Sequence, residues 1–424
     1  MFANCKQIFY KGVFLIKIGL LGLGTVGRGV YEIINNEQGN IFKNKAGHAQ
    51  IIKILVNDIT KDRGEGIDYS LLTSNPDDIL LNNDIDVVVA VLGGCEPEYS
   101  YVLKALNNKK HVVTANKQII SEHLDTLLKT AKSNGVSILF EGSVGGGIPI
   151  IDTMQQLLKI NKINCITGIL NGTTNFILSQ MSQNHSTFAE VLKTAQNLGF
   201  AEADPTADVM GYDVSRKLSI LSSLAYDYII KDEDIYKRGI TQIDACDIEM
   251  IQNNGYAIKY VAQSVLKDNK YYTSVEPALI CAENELATVN NEFNVIILDG
   301  NIIGEIRISG KGAGQNPTAN AVVGDIIYIM EKKPQAKNMF TSQISSGGIK
   351  FFKGRYYFRI KIASNAQFCN AFDIIDKYVL QKDTLYEHGN LFFFTQEIPA
   401  TTALNIQHEI KLTNENIFFA RIIE

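Results

Sequence analysis

Short apolar runs separated by amphipathic stretches dominate the first third of the chain. Five runs have the length and composition of buried parallel strands: Leu15–Leu21, Ile51–Val56, Asp86–Leu92, His111–Thr114 and Ile138–Phe140. Between them, apolar residues recur at helical spacing. Strands that alternate with helices predict an α/β fold, here an N-terminal Rossmann-type, doubly wound parallel sheet over residues 15–145.

The pattern changes near Ile150 and predicts a second, α+β domain over residues 146–316. A strand at Cys165–Leu170 and a long helix ending near Asp227 precede two alternating runs, Tyr260–Val265 and Val295–Leu298. Tight turns such as Asp299-Gly300 predict hairpins in this second sheet. The apolar helix near 317–331 is assigned back to the first domain.

The last part of the chain predicts a linker and a small third domain. Residues 332–350 contain Pro334, several serines and Gly347-Gly348, which is typical of a linker. Residues 351–424 predict a small ferredoxin-like regulatory domain. Its predicted elements are a strand at Tyr356–Ala363, a helix at Phe372–Leu380, and two strands, Asn390–Thr395 and Ile417–Ile423, with a last helix between them.

The N-terminal run is basic and then apolar, like a targeting signal. Its apolar part, Val13 to Leu23, leads directly into glycines that a folded domain needs, and it lacks a clear cleavage site. It is also too short to span a bilayer. Residues 1–14 are therefore interpreted as a leader or an upstream start.

Composition and charge narrow the class of protein. The chain has 424 residues, 46% hydrophobic and 20% charged, as in globular proteins with several cores. A net charge of -5 argues against a nucleic-acid partner. Six cysteines without a CxxC pair favour a reducing cytoplasm and argue against a thiolate metal site, and the histidines show no ligand spacing.

A glycine motif stands between the first predicted strand and helix. Gly22-Leu-Gly24-Thr-Val-Gly27 is GxGxxG in the context that binds a dinucleotide. The first two glycines permit a tight turn against the pyrophosphate, and the third lets helix and strand pack. After the second strand, Asp58 favours NAD whereas Lys61 and Arg63 favour NADP, and a turn cap is an equally good interpretation of Asp58.

Three further segments follow predicted strands. Gly93-Gly94 predicts a tight turn against which a nicotinamide or ribose lies, and Lys117 stands at the carboxyl end of its strand, where ligands bind in such sheets. Gly145-Gly146-Gly147 frees the backbone to curl. Carbonyls exposed in this way suit a monovalent cation, and an interdomain hinge is an equally good interpretation.

The acidic stretch from Gly199 to Leu218 carries the densest candidate chemistry. Asp213 and Lys217 share one face of a predicted helix. A carboxylate beside an ammonium suits an amino-acid zwitterion or proton transfer to a carbonyl, and an exposed ion pair is the plainer alternative. Upstream, Asn171 and Thr173 cap a helix or touch a polar ligand, and capping is favoured.

Six segments stand out by their order and spacing. They are GLLGLGTVG (19–27), TANK (114–117), EGSVGGGIPI (141–150), NGTTN (171–175), GFAEADPTADVMGYDVSRKL (199–218) and GAGQNPTA (312–319). Together they resemble the homoserine dehydrogenase family, from Leu15 to the end of the chain. The resemblance implies NAD- or NADP-dependent interconversion of L-homoserine and L-aspartate 4-semialdehyde, on the route to threonine and methionine. It also implies a homodimer or homotetramer with the middle domain, which binds substrate, as the subunit interface.

The resemblance implies roles for individual residues. Lys217 resembles the proton donor to the aldehyde oxygen, with Lys117 near the same oxygen and the nicotinamide. A positioned ammonium stabilises the charge that hydride delivery builds on oxygen, although burial has to lower the pKa of a lysine that acts as an acid at neutral pH. The implied substrate ligands are Glu202 and Asp213, supported by Asp208. The implied cofactor contacts are Gly22, Gly24, Thr25, Val26, Gly27, Lys117, Gly199 and Gly312. The implied sodium or potassium ligands are Glu141, Val144, Gly146 and Ile148.

Two positions depart from the family pattern. Asn57 stands where many members carry an arginine, which weakens the case for NADP. Ala363 to Phe368 replaces the Asp-x-Pro-Gly turn of an ACT domain, so the C-terminal domain is predicted to be ACT-like, with threonine binding in question. The absence of an upstream kinase-like segment indicates the monofunctional type.

Two other functions are weighed against this one. The first is a dehydrogenase of another small amino-acid semialdehyde, which substrate profiling separates because polar sites reject analogues that lack the group they bind. The second is a non-catalytic sensor of a dinucleotide and an effector. Intact Lys117, Asp213 and Lys217 argue against the sensor and favour an enzyme.

Overall fold

The computed structural model describes residues 15–35, 48–332, 340–380, 382–412 and 416–423, so the leader assigned to residues 1–14 lies outside the described residues. The N-terminal part alternates strands with helices. Its elements are β1 (Leu15–Leu21), α1 (Thr25–Asn35), β2 (His48–Leu55), β3 (Leu72–Thr73), α2 (Asp77–Leu80), β4 (Val87–Ala90), α3 (Glu98–Asn107), β5 (His111–Thr114), α4 (Lys117–Ser133) and β6 (Ile138–Leu139).

The middle and C-terminal parts are richer in long antiparallel strands. The middle elements are α5 (Ile150–Leu157), β7 (Ile163–Ile169), α6 (Gly172–Asn184), α7 (Phe188–Asn197), α8 (Thr206–Val209), α9 (Tyr212–Tyr226), β8 (Tyr236–Lys237), α10 (Ala245–Asn253), β9 (Tyr256–Lys267), β10 (Lys270–Cys281), β11 (Phe293–Gly300), β12 (Gly304–Lys311) and α11 (Gln315–Lys332). The C-terminal elements are β13 (Ser345–Ser346), β14 (Lys353–Gly354), β15 (Tyr356–Lys361), α12 (Asn365–Tyr378), β16 (Lys382–Glu387), β17 (Asn390–Thr395), β18 (Ile398–Pro399), α13 (Ala400–Lys411) and β19 (Ile417–Ile423).

The chain divides into two compact units. Among the described residues, the first unit comprises those up to 119, 125–142 and 314–332, and the second comprises 120–124, 143–313 and those from 340 onward. The first unit holds a parallel sheet in the order β3-β2-β1-β4-β5-β6, which confirms the predicted Rossmann-type sheet. The strand order reverses between β1 and β4, the position at which such sheets bind ligands.

Helix α11 belongs to the first unit although it follows the middle part in sequence. It packs on α1 at Gly29, where a Cβ would lie 2.8 Å from the Cβ of Ala319. Its apolar residues Val322 and Ile326 are fully buried in the same core as Ile18 of β1. The absence of a side chain at Gly29 therefore allows the close approach of the two helices.

The second unit is built on one mixed sheet whose main path runs β12-β11-β7-β9-β10-β19-β15-β17-β16. Its last four strands, with α12 and α13, form a β-α-β-β-α-β module with an antiparallel sheet, which confirms the predicted ferredoxin-like topology. Strand β19 of the module pairs in parallel with β10, for example Ala278 with Arg421. The sheet is therefore continuous from the middle part into this module.

A buried ion pair fastens the module to α10. Asp247 Oδ1 accepts hydrogen bonds from Arg359 Nε of β15 at 2.9 Å and from the Tyr357 hydroxyl at 2.7 Å. The Arg359 and Asp247 side chains are only 3% and 0% exposed. The Arg359 guanidinium also donates to the carbonyl of Gln242. One face of the module sheet is thus held against the middle part by charge as well as by packing.

The structure corrects several details of the predicted elements. Asp299 and Gly300, predicted to form a hairpin turn, are wrong for that role: they end β11 and pair with Glu305 and Gly304, so the turn comprises residues 301–303. Helix α12 begins at Asn365, well before the start predicted at Phe372, because Ser364 caps it. The prediction lacked several elements: β10, β12, α7, α10 and β16.

Part of the segment predicted as a linker lies outside the described residues, namely 333–339. Of the remainder, Ser345 and Ser346 form β13 and pair in parallel with Lys270 and Tyr271 of β10. Among the helices of the described residues, none combines the length and apolar character needed to cross a membrane.

A buried lysine makes the stability of the second unit depend on pH. The Lys259 side chain is 3% exposed and donates to the Val289 carbonyl at 2.6 Å and to Asn290 Oδ1 at 2.9 Å. Burial lowers the pKa of Lys259 from 10.5 to about 8. Above pH 8 the folded protein releases a proton that the unfolded chain keeps, so the free energy of unfolding is expected to rise with pH up to about 10.5, by on the order of 3 kcal/mol.

The measurement is urea unfolding of the wild type and of Lys259→Met across pH 7 to about 10.5, the ordinary range of lysine titration. The variant lacks two hydrogen bonds, which changes its free energy of unfolding at every pH. It also lacks the titrating amine, so its free energy of unfolding should rise less steeply with pH. If the free energy of unfolding depends on pH in the same way for both proteins, the pKa of Lys259 does not differ between the folded and unfolded states.

Candidate active site

The GxGxxG motif forms the turn between β1 and α1. Gly22 has a φ of +104°, a conformation that favours glycine, and its N–H donates to the Leu55 carbonyl at 3.1 Å. A Cβ on Gly27 would lie 2.1 Å from the Gly22 carbonyl oxygen, so the third position admits only glycine. Gly24 and Thr25 are exposed where α1 begins. The cradle fits a pyrophosphate, which the first amides of a helix attract.

The loop after β2 carries charges of both signs. Asp58 is exposed, and its Oδ1 accepts from the Thr60 N–H at 2.8 Å and from the Thr60 hydroxyl at 2.6 Å. These hydrogen bonds lower the pKa of Asp58. Arg63 donates to the Asp58 carbonyl at 2.9 Å, and Arg28 of α1 donates to the Arg63 carbonyl at 2.7 Å. Asp58 therefore caps this turn, which is one of its two predicted roles. The same loop carries the Arg63 guanidinium, which the Asp58 carbonyl holds in place.

One buried carboxylate ties the carboxyl end of β4 to that of β5. Glu98 is 0% exposed, and its Oε2 accepts from the Leu92 N–H at 2.6 Å and the Gly93 N–H at 2.8 Å. Its Oε1 lies 3.2 Å from the Thr114 hydroxyl oxygen. Burial raises the pKa of Glu98, against the opposite effect of these hydrogen bonds.

Hydrogen bonds of the neighbouring Asn116 side chain fix the backbone at Lys117. It is the first residue of α4, directly after the N-cap residue Asn116, and is half-buried. The Asn116 side chain accepts from the Gln118 N–H at 3.0 Å and donates to the Gly94 carbonyl at 2.6 Å. The Gly93-Gly94 turn and the lysine segment are therefore joined by side-chain hydrogen bonds within the first unit.

In the second unit, one amide joins two carboxylates of the acidic stretch. Asn171 Nδ2 donates to Asp208 Oδ1 at 2.7 Å and to Asp213 Oδ2 at 2.8 Å. The Asn171 Oδ1 accepts from the Thr174 N–H at 2.7 Å and so caps α6, as predicted. The Asn171 amide nitrogen carries two protons, so it can donate a hydrogen bond to each carboxylate at the same time.

Lys217 lies one helical turn after Asp213 on α9, and the pair is buried. The Lys217 Nζ is 2.7 Å from Asp213 Oδ2 and 2.7 Å from the Leu170 carbonyl oxygen. The two side chains are 8% and 2% exposed. The plainer alternative of an exposed ion pair is therefore wrong. Burying two charges is costly unless hydrogen bonds compensate, and such pairs concentrate at functional sites.

Two other residues predicted from the acidic stretch lie at its exposed beginning. Glu202 is exposed, and its backbone carbonyl accepts from Gln196 Nε2 at 3.1 Å. Gly199 is exposed with a φ of +77° just after α7. Thr173 anchors the stretch, because its hydroxyl donates to the Phe200 carbonyl at 2.6 Å. The contacts above thus bring Asp208, Asp213 and Lys217 together.

The glycine-rich turn lies in the second unit. Gly145 and Gly146 have φ of +74° and +55°, and Ile148 N–H donates to the Gly145 carbonyl at 2.9 Å. A Cβ on Gly146 would lie 2.6 Å from the carbonyl carbon of Gly312. Val144 and Ile148 are buried. In the first unit, the N–H of Glu141 donates to Asp325 Oδ2 at 3.0 Å.

Sequence reasoning missed Glu98 and the bridging role of Asn171. A signal for Glu98 was present, since it is the fourth residue after Gly94 and an acidic residue at the start of a helix suits the positive end of that helix. For Asn171 the chain offered only the cap, because its carboxylate partners lie far away in sequence.

Two family profiles match successive parts of this chain. The family profile described as "Homoserine dehydrogenase, NAD binding domain" matches residues 22–141, and the profile described as "Homoserine dehydrogenase" matches residues 149–327. A homoserine dehydrogenase of Bacillus subtilis is 43% identical over 316 residues, which cover 74% of this chain and 73% of that protein.

Solved structures extend the likeness to the C-terminal module. A homoserine dehydrogenase from Thiobacillus denitrificans has a TM-score of 0.88 at 30% identity, covering 97% of this chain and 99% of that one. A hyperthermophilic archaeal homoserine dehydrogenase, solved in complex with NADPH, has a TM-score of 0.65 at 27% identity and covers 76% of this chain and 100% of that one.

Proposed function

The chain belongs to the homoserine dehydrogenase family and is an NAD(P)-dependent oxidoreductase, and from this we propose that it interconverts L-homoserine and L-aspartate 4-semialdehyde on the route to threonine and methionine. The observation that carries the proposal is the buried Asp213–Lys217 pair, at 2.7 Å, beside Asp208 and Asn171. It combines carboxylates for a substrate ammonium with a group that can move a proton.

Lys217 is proposed as the general acid in the reductive direction. The bound nicotinamide supplies or removes a hydride. As hydride adds to the aldehyde carbon, charge grows on the oxygen, and the Lys217 ammonium stabilises it and gives it a proton. In homoserine oxidation the neutral amine takes that proton back. Asp213 holds Lys217 in place at 2.7 Å. Lys117 is proposed, from its family motif, to act on the same oxygen.

The substrate ammonium is proposed to bind the carboxylates of the acidic stretch. Asp208 and Asp213 are held close together by Asn171, and two neighbouring carboxylates attract a cation strongly. Glu202 is proposed as a third ligand from its exposed loop, where its carboxylate faces no burial cost. This arrangement selects amino-acid substrates over plain aldehydes, because a buried carboxylate left without its partner is costly.

Cofactor binding is proposed at the β1–α1 turn through Gly22, Gly24, Thr25, Val26 and Gly27, with further contacts from Lys117, Gly199 and Gly312. The left-handed Gly22 and the closed approach of Gly27 support this proposal. The related archaeal enzyme was solved with NADPH. We propose that NAD and NADP are both accepted and that Asp58 and Arg63 set their ratio.

Opposite changes in cofactor preference are expected at these two positions. Arg63→Ala removes a guanidinium that suits a 2′-phosphate, so the KM for NADP should rise by about tenfold while the KM for NAD stays nearly constant. Asp58→Asn keeps an acceptor for the Thr60 N–H but loses the charge, and it should raise the KM for NAD only. Steady-state kinetics with each cofactor provides the internal control. Equal changes in KM for both cofactors would show that this loop does not select between NAD and NADP.

A monovalent cation, sodium or potassium, is proposed at the glycine-rich turn, with ligands Glu141, Val144, Gly146 and Ile148. The left-handed conformations of Gly145 and Gly146 support it, since they turn main-chain carbonyls in directions that a helix or strand does not allow. Hard oxygen ligands suit such ions. The proposed role of the cation is structural, and no reaction step depends on it.

Assembly as a homodimer or homotetramer through the middle part is also proposed. Ile160, Ile302 and Ile303 are 75%, 69% and 43% exposed and lie together, because the Ile303 N–H donates to Asn161 Oδ1 at 3.0 Å. Exposed apolar side chains that lie together mark association surfaces. Light scattering of the purified protein reports the subunit number directly.

The test of the proposed function is oxidation of L-homoserine by the purified protein, with NAD and NADP in parallel and with or without sodium or potassium. Turnover of homoserine, and no turnover of substrate analogues that lack the amino group, supports the proposal. Dinucleotide binding without turnover in either direction would instead indicate another semialdehyde or a sensor.

A further inference from the structure

A buried carboxylate at the reversal of the first sheet has no part in the chemistry proposed above. Glu98 begins α3, shortly after β4, and the strand order reverses between β1 and β4. In open α/β sheets, ligands bind at this reversal, beyond the carboxyl ends of the strands. Glu98 therefore stands where the fold presents its ligand-binding loops.

The first set of contacts fixes the turn after β4. Two consecutive N–H groups, of Leu92 and Gly93, point at the same Glu98 oxygen, at 2.6 and 2.8 Å. The turn then passes through Gly93 and Gly94 in left-handed conformations, with φ of +84° and +75°. Two flexible glycines adopt many conformations unless something fixes them. The carboxylate supplies that constraint.

The second set of contacts extends the constraint to β5. The Thr114 hydroxyl lies 2.8 Å from the Ala90 carbonyl and 3.2 Å from Glu98 Oε1. Asn116 donates to the Gly94 carbonyl at 2.6 Å and caps the helix that Lys117 begins. Glu98 thus lies at the centre of a network that reaches both the glycine turn and the lysine segment.

We propose that Glu98 is a positioning residue for the dinucleotide: it holds the Leu92–Gly94 turn and the Thr114–Lys117 segment in one arrangement to which the nicotinamide end of the cofactor binds. The inference rests on the proposed function for the identity of the cofactor, although not for the contacts. A purely structural Glu98 would affect stability alone. A positioning Glu98 affects dinucleotide affinity and leaves affinity for homoserine nearly unchanged.

The experiment measures the Kd for NADH and NADPH by fluorescence titration of the full chain, together with the KM for homoserine and thermal unfolding. Glu98→Ala is expected to raise the dinucleotide Kd by at least about tenfold, with less than about a twofold change in the KM for homoserine. Glu98→Gln should recover most of the affinity, because its amide oxygen accepts the same two N–H groups. Glu96→Ala is the matched control, since Glu96 is exposed two residues earlier.

The outcomes are separable. If Glu98→Ala does not fold, Thr114→Val carries the test, because it removes the hydroxyl that contacts Glu98 and should weaken dinucleotide binding by a smaller factor. A lower unfolding temperature with an unchanged Kd would overturn the proposal. Because the titration needs no homoserine, weakened binding in a protein that fails to oxidise homoserine would support the role of Glu98 and refute only the assigned substrate.

Discussion

Lys217→Ala is expected to lower kcat for homoserine oxidation by about 10²- to 10⁴-fold, the range that a positioned acid or base contributes. The physical reason is the placement of one ammonium 2.7 Å from Asp213 and 2.7 Å from the Leu170 carbonyl, where it is held as the proposed proton donor. Dinucleotide binding should persist, because Lys217 is not among the proposed cofactor contacts, which include the β1–α1 turn.

A second variant separates proton transfer from charge. Lys217→Arg keeps a cation beside Asp213, so the fold should be retained, but a guanidinium holds its protons at any accessible pH. Its kcat should therefore fall nearly as far as that of Lys217→Ala. Lys231→Ala is the control, because the Lys231 side chain is 64% exposed in the same unit. Near-normal turnover by Lys217→Arg would contradict the role of Lys217 as an acid.

Arg359→Met is expected to lower the free energy of unfolding by about 3–5 kcal/mol, the cost of leaving one member of a buried ion pair alone. Asp247 is fully buried and would keep the Tyr357 hydroxyl but lose the guanidinium at 2.9 Å. The loss should appear in urea unfolding as detachment of the ferredoxin-like module from α10. This result would show that the C-terminal module contributes to the stability of the second unit.

The matched controls use an exposed pair and a double variant. Lys353→Met breaks an ion pair whose side chains are 68% and 60% exposed, and it should cost less than about 1 kcal/mol. Asp247→Leu combined with Arg359→Met should recover much of the lost stability, since no charge is then left unpaired. A loss of stability in Arg359→Met as small as that in Lys353→Met would contradict this expectation. It would show that the Asp247 carboxylate is not costly to bury without the Arg359 guanidinium.

The sequence predicted the main strands of the first unit and the shared helix face of Asp213 and Lys217. Parallel strands buried on both faces read as continuous apolar runs, so β1 and β5 were predicted residue for residue. The glycine motif required a turn between strand and helix, and the helical spacing of Asp213 and Lys217 placed both on one face of α9. These are local relations, which a few neighbouring residues decide.

Which of the local alternatives holds depends on contacts between segments that are distant in the chain. An exposed and a buried Asp213–Lys217 pair have the same spacing, and packing of α9 buried it. The hydrogen bonds from Asn171 to Asp208 and Asp213 join residues far apart in the chain, as do those of Glu98 and the parallel pairing of β19 with β10. Such partners are chosen by the folding of distant segments onto each other, and no periodicity along the chain encodes them.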